Sequence, residues 1–270
     1  MLKALTHLCF GSTNIVEPKS KKTTCNLFAS CFFLHYTINR MKKNLLLLQT
    51  GIFNINTWFI KVSPTEVIIV DPASCKESND KMKIVNFLNQ NNLQPIGIIL
   101  THCHFDHIAG TKVLKTQFPN CKIAVHKLDA EAAASKAKEM QGQILNSMGF
   151  GFFVSALENL PNPEITFSGN ETLASFKTSE STAEVIEQLD NWKIIHTPGH
   201  TPGGICLYNK TEKQLISGDT LFYQTYGRTD LPGGNHSQMM KTLSFIKETI
   251  PSDTNVYPGH DHFDFTLDEC

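Results

Sequence analysis

Seven residues between positions 102 and 260 combine the types and the spacing that a metal-assisted reaction needs. The run Thr101-His102-Cys103-His104-Phe105-Asp106-His107 places four metal-binding side chains within six residues. Alternate side chains of an extended segment point the same way, so His102 and His104 can meet at one ion. Asp106 and His107 are neighbours that point apart and suit a second ion. A carboxylate at a helix start also gains from the helix dipole. Downstream, the Gly- and Pro-rich turn Thr197-Pro198-Gly199-His200-Thr201-Pro202-Gly203-Gly204 carries another imidazole. Gly218-Asp219-Thr220 carries a carboxylate, and Tyr257-Pro258-Gly259-His260 a last imidazole. Imidazole and carboxylate together suit zinc, iron or manganese far better than calcium or magnesium. No convincing Ser-His-Asp motif accompanies them, and with metal ions present no protein nucleophile is needed.

Each of these groups follows a strand-like run, as expected where α/β enzymes build sites from the loops past their strands. Leu45–Thr50, Asn54–Val62 and Glu66–Val70 read as three strands, broken by Gly51 and by Ser63-Pro64. Ser78 to Gln90 has an apolar face at helical spacing. A strand is expected over Ile96–Leu100, a helix over His107 to Phe118 and a strand over Lys122–His126. An Ala-rich helix follows to about Gln141, with Asp129 as its N-cap. The Gly- and Phe-rich segment 142–160 fits either a lid over the site or a surface-packed loop. Strands return at Glu164–Phe167, Thr172–Phe176, Trp192–His196, Gly204–Tyr208 and Gln214–Ser217. A helix spans His236 to Thr249, and a short strand Asn255–Tyr257. This order implies a layered α/β fold with two sheets and outer helices.

The chain has 270 residues, 24 Lys+Arg against 25 Asp+Glu, and a formal net charge of −1. Such a balance gives no electrostatic case for nucleic acid or an anionic membrane, and neither is expected as a partner. Eight Cys without a CxxC pair read as free thiols in a reducing compartment. Residues 1–40 stand apart: five cations against the single acid Glu17, and three of the eight Cys. They are expected to be an N-terminal extension ahead of one domain, residues 41–270. The expected location is cytoplasmic, or organellar if the extension is a transit peptide.

The ordered set His102-x-His104-x-Asp106-His107, His200, Asp219 and His260 resembles the metallo-beta-lactamase superfamily, over roughly residues 45–265. The resemblance implies a four-layer αββα sandwich with a dinuclear site at one edge of its two sheets. It assigns His102, His104 and His200 to a first metal, Asp106, His107 and His260 to a second, and Asp219 to a bridge. Asp71 would buttress the metal loop through hydrogen bonds. Two zinc ions are expected, with iron or manganese as alternatives in either position.

Within the superfamily, Ser217-Gly218-Asp219-Thr220-Leu221-Phe222 and Gly227-Arg228-Thr229-Asp230-Leu231-Pro232-Gly233-Gly234 resemble the short form of the glyoxalase II-like branch, the hydroxyacylglutathione hydrolases. That likeness implies a thioesterase: a metal-bridging hydroxide would attack a small-molecule thioester such as S-2-hydroxyacylglutathione, with Asp106 orienting the hydroxide and taking its proton. Full-length members carry a helical C-terminal domain that binds glutathione; the sequence ends soon after His260, and a form without that domain is expected. The alternative is a persulfide dioxygenase of the same fold, using one iron held by two His and one Asp. Arg228 fits a clamp on a substrate carboxylate or an ordinary salt bridge, and Tyr223 and Tyr226 fit pocket lining or packing. Among the remaining His and Cys, His126, His236, His262 and Cys103 are expected to play structural parts.

Overall fold

The computed structural model describes residues 44–270; the extension expected over residues 1–40 lies outside them. Six strands form one sheet in the order β1-β2-β3-β4-β5-β6. They are β1 (Leu45–Thr50), β2 (Ile55–Lys61), β3 (Glu66–Val70), β4 (Gln94–Ile99), β5 (Lys122–His126) and β6 (Ile165–Phe167). The first three run antiparallel as a meander, and β3 to β6 run parallel. The second sheet has the order β13-β12-β9-β8-β7. Its strands are β7 (Trp192–His196), β8 (Ile205–Asn209), β9 (Gln214–Gly218), β12 (Asn255–Pro258) and β13 (Phe265–Thr266). A separate hairpin joins β10 (Leu221–Phe222) to β11 (Thr225–Tyr226).

Both faces of the central strands are apolar, which is why they read as unbroken Val, Ile and Leu runs. Val67 and Ile69 of β3 share a buried cluster with Ile84 and Leu88 of helix α1 (Lys83–Gln90), Leu114 of α3 (Thr111–Gln117) and Leu145 of α4 (Ala137–Ser147). On the second sheet Cys206, Leu215 and Val256 pack with Ile246 of α6 (His236–Thr249). The alternate residues Ile68 and Val70, and Leu207 and Ile216, are buried on the opposite faces. Helices thus cover one face of each sheet, giving the αββα sandwich. Trp58 locks the two sheets: its ring meets Tyr257 edge-on at 5.1 Å, and its Nε1 donates to Pro258 O at 3.0 Å. Among the described residues no helix is long and apolar enough to cross a membrane.

Several local expectations are corrected. The helix before β4 starts at Lys83, not Ser78, and the single helix expected over 107–118 is two: α2 (Phe105–Ile108) and α3. Gly110 separates them: its N donates out of the helix to Pro72 O at 2.8 Å, an approach that leaves no room for a Cβ. Asp129 caps no helix; α4 begins at Ala137 and runs to Ser147. Residues Leu173–Phe176 form a 3-10 turn instead of a strand, since Leu173 and Phe176, both buried, have the three-residue spacing of that helix. Helix α5 (Ala183–Asp190) was not foreseen; Thr182 caps it, accepting from Val185 N. Segment 142–160 holds the end of α4 and a 3-10 helix, Gly151–Leu157, anchored by buried Phe153 and Leu157.

Candidate metal centre

Every side chain singled out for metal binding follows the end of a strand. His102 and His104 lie in the loop after β4, and Asp106 and His107 in the short helix α2 that continues it. His200 follows β7, Asp219 follows β9 and His260 follows β12. Four of these groups come from the first sheet and three from the second.

The two sheets bring them together. One ligand atom each from His102, His104 and His200 lies within 4.8 Å of the others, and the same holds for Asp106, His107 and His260. His104 Nδ1 approaches His200 Nε2 to 2.8 Å, and His107 Nε2 approaches His260 Nε2 to 3.2 Å. Asp219 faces both sets: Oδ1 is 3.3 Å from His107 Nε2, and Oδ2 is 3.4 Å from His260 Nε2 and 3.6 Å from His200 Nε2. Asp106 Oδ2 lies 3.5 Å from His260 Nε2.

Groups behind these rings fix which nitrogen faces inward. Asp71 Oδ2 accepts from His107 Nδ1 at 2.9 Å and from Thr101 Oγ1 at 2.7 Å, while Oδ1 accepts from Thr101 N at 2.7 Å. With its hydrogen given to Asp71, the Thr101 hydroxyl accepts from His102 Nδ1 at 3.0 Å. His200 Nδ1 donates to Arg228 O at 2.7 Å. In His102, His107 and His200 the outer Nδ1 is therefore a donor and Nε2 is left for the centre, whereas His104 turns Nδ1 inward. Asp71 thus joins His102 and His107 in a third close group, as a buttress behind the rings.

Close backbone approach seats the loops. A Cβ on Gly259 would lie 2.4 Å from Asp219 Oδ1 and 2.7 Å from His107 Cε1, so only glycine lets the His260 loop come this near. Asn56 and Trp58 of β2 hold that loop from the other sheet: Asn56 N donates to Gly259 O at 2.8 Å, and Asn56 Nδ2 to Pro258 O. Asp129 is a buried hub that the sequence did not single out for this purpose. Oδ2 accepts from Cys103 N at 3.0 Å and Thr201 Oγ1 at 2.7 Å, and Oδ1 from Gly203 N at 2.7 Å. One carboxylate therefore clamps the first histidine loop to the His200 loop. Only its position just past a strand end hinted at this.

Electrostatics split the histidines into two classes. Burial pushes His102, His104 and His200 below the usual imidazole range, so these rings are neutral near pH 7. Burial also opposes charge on His107 and His260, but Asp219 and the neighbouring carboxylates outweigh it and hold both above that range. Burial would raise the Asp219 carboxyl, yet His260 and His107 hold it well below the usual carboxylate range.

The donor set fits a pair of cations. His102 Nε2 and Asp219 Oδ1 are buried and make no hydrogen bond, a costly state unless another partner takes the lone pair. Imidazole nitrogens facing each other at 2.8 and 3.2 Å form the same pattern. Neutral rings and an ionised carboxylate are the forms that bind metal, and a proton held by His107 or His260 would leave on binding.

The other singled-out residues sit at the edge of this group. Arg228 forms a two-pronged ion pair with Asp230, its Nε and a terminal nitrogen each donating at 2.7 Å. Tyr223 and Tyr226 are exposed; Tyr223 packs on His262 and Phe265, and Tyr226 on His236. His262 is in none of the metal-binding groups among the described residues. His126 stacks on His196 at 4.1 Å, and His196 Nε2 donates to Pro202 O in the His200 loop.

Comparison with known proteins agrees with the geometry. A sequence model described as the metallo-beta-lactamase superfamily matches residues 50–260. A protein of Methanocaldococcus jannaschii named probable metallo-hydrolase MJ0888 is 32% identical over 72% of this chain and 82% of its own. Glyoxylase B2 of Dictyostelium discoideum is 27% identical over 68% of this chain and 56% of its own. Among solved structures, the crystal structure of BLEG-1 B3 metallo-beta-lactamase superposes with a TM-score of 0.67 at 24% identity, covering 83% of this chain and 95% of that one.

Proposed function

The chain belongs to the metallo-beta-lactamase superfamily, and from that premise we propose that it is a hydrolase of thioesters, of the S-2-hydroxyacylglutathione kind. The observation that carries the hydrolytic part is the position of Asp219, whose oxygens lie within 3.6 Å of imidazole nitrogens from both metal-binding sets. That arrangement implies a dinuclear centre; we assign zinc to it, which suits nitrogen and carboxylate ligands. The thioester part is supported by the segments around Asp219 and Arg228, which resemble glyoxalase II, and by the likeness to a protein named Glyoxylase B2.

In this reading His102, His104 and His200 hold one ion, Asp106, His107 and His260 the other, and Asp219 reaches both. Bound there, two cations lower the pKa of water toward neutrality and polarise an acyl carbonyl. Asp71 and the Arg228 carbonyl keep His107, His102 and His200 in the required tautomers. Asp106 orients the attacking water and takes its proton on a carboxylate oxygen. Arg228, with Tyr223 and Tyr226 on the exposed rim, is proposed to face the thiol carrier, where a guanidinium suits the carboxylates of glutathione.

The test is metal content of the full chain from cells supplied with zinc and iron, followed by assay. About two ions per chain, mostly zinc, with hydrolysis of S-lactoylglutathione or a simpler thioester, is the expected result. One iron per chain, with oxygen consumed when glutathione persulfide is added, overturns it in favour of a dioxygenase.

A further inference from the structure

Beyond the metal-binding groups, the densest set of side chains without a task is aromatic. Phe105 stands in sequence between His104 and Asp106. Its ring meets Phe53 at 6.0 Å, Phe150 at 6.1 Å and Phe153 at 5.2 Å. Phe53 also meets Phe150 at 5.2 Å, and Phe152 lies 6.3 Å from both Phe150 and Phe153. Phe153 is fully buried in a small cluster with Cys75, Ala109 and Ala156. Above that floor, Phe53 and Phe152 are 38% and 59% exposed.

The wall is tied to the metal-binding loops from two directions. Its first element, the turn between β1 and β2, is fixed by Gly51 N donating to Asp80 Oδ2 at 2.8 Å. Just beyond that turn, Asn56 bonds Gly259 O and Asp261 O, on either side of His260. Its second element, Phe105, is flanked by two of the proposed ligands. One ring of the wall therefore stands on the same loop and short helix as His104 and Asp106.

We infer that this wall is the acyl subsite, and that the acyl group it takes is an apolar chain; the inference rests on the thioester hydrolase reading above. Charge favours the acyl part over the carrier. Residues 51–54, Phe105 and residues 149–157 contain no Lys or Arg. The charged partners of these segments are acids: Asp80 accepts from Gly51 N, and Glu77 accepts from Ser155 Oγ at 2.8 Å. A carrier with carboxylates is repelled here, whereas an aliphatic chain covers rings that water otherwise wets.

The experiment compares acetyl and octanoyl thioesters of N-acetylcysteamine on the zinc-loaded full chain and on Phe53→Ser/Phe152→Ser. Both rings are partly exposed, and a circular dichroism melt checks that the variant is folded before assay. The expected wild-type kcat/KM is about ten-fold or more higher for the octanoyl ester, and the variant loses about ten-fold of that ratio. A hydrolysis-inert S-octyl thioether of the same thiol, followed by calorimetry, is expected to weaken in parallel. Equal cleavage of both esters by the wild type, or a ratio unchanged in the variant, overturns the acyl subsite and leaves the hydrolase. Cleavage of neither ester while S-lactoylglutathione is hydrolysed overturns the acyl subsite, and cleavage of none of the three thioesters overturns the hydrolase reading itself.

Discussion

Asp71 Oδ2 accepts hydrogen bonds from His107 Nδ1 at 2.9 Å and Thr101 Oγ1 at 2.7 Å, so one carboxylate orients His107 directly and His102 through a hydroxyl. Asp71 sits at φ 53°, a conformation that asparagine tolerates well. Asp71→Asn therefore keeps the backbone but loses the anion. Metal affinity is expected to fall about 10- to 100-fold, measured by competition with a chromogenic chelator. Affinity equal to wild type would show that the tautomers are set otherwise.

Asp219 faces both candidate ligand sets. Asp219→Ala is expected to reduce metal content from about two ions per chain to one or fewer, because both candidate ligand sets lose the carboxylate that faces them. Atomic absorption on the purified variant decides this. Retention of both ions would remove Asp219 from the bridging position.

Asp129 tests the clamp between loops from the two sheets. Asp129→Asn puts an amide donor against a position that receives backbone N–H groups of Cys103 and Gly203 and the Thr201 hydroxyl. The expected loss is about 2–4 kcal/mol, because buried donors to a charged acceptor are left unsatisfied. Urea denaturation of the zinc-loaded chain measures it, and a loss below about 0.5 kcal/mol, the level of an ordinary surface change, would contradict the clamp.

Burial pushes the thiol of Cys206 up to about 11 and that of Cys121 up to about 12. Both are protonated at neutral pH, and iodoacetamide at pH 8 is expected to leave them unmodified until the chain is unfolded. Peptide mass mapping reads this residue by residue. The sign for stability follows: a raised thiol pKa contributes stability that is full below pH 9 and lost as pH rises through 11–12. The melting temperature is expected to fall over that window, and to fall less in Cys121→Ala/Cys206→Ala.

Much of this was legible in the sequence. The sequence predicts strands β1, β3, β5 and β7 and helix α6 with the observed bounds, because short apolar runs end at polar or turn residues and α6 carries Met239, Leu243 and Ile246 at helical spacing. The clustering of the candidate ligands was legible because few arrangements need that many imidazoles past strand ends. What escaped depends on contacts distant in sequence. The break at Gly110 comes from Pro72, thirty-eight positions back. Asp129 looked like a helix cap because its partners in the His200 loop, Thr201 and Gly203, are more than seventy residues away. The aromatic wall was scattered over three segments, and only the fold joins Phe53, Phe105 and Phe152.

The proposed ligands are split between the two sheets, four from one and three from the other. Neither half of the molecule can hold the centre alone: the first set needs His200, and the second needs His260. The proposed centre is therefore complete only once the two sheets have packed against each other. A centre divided in this way ties its own completion to the meeting of two stretches far apart along the chain.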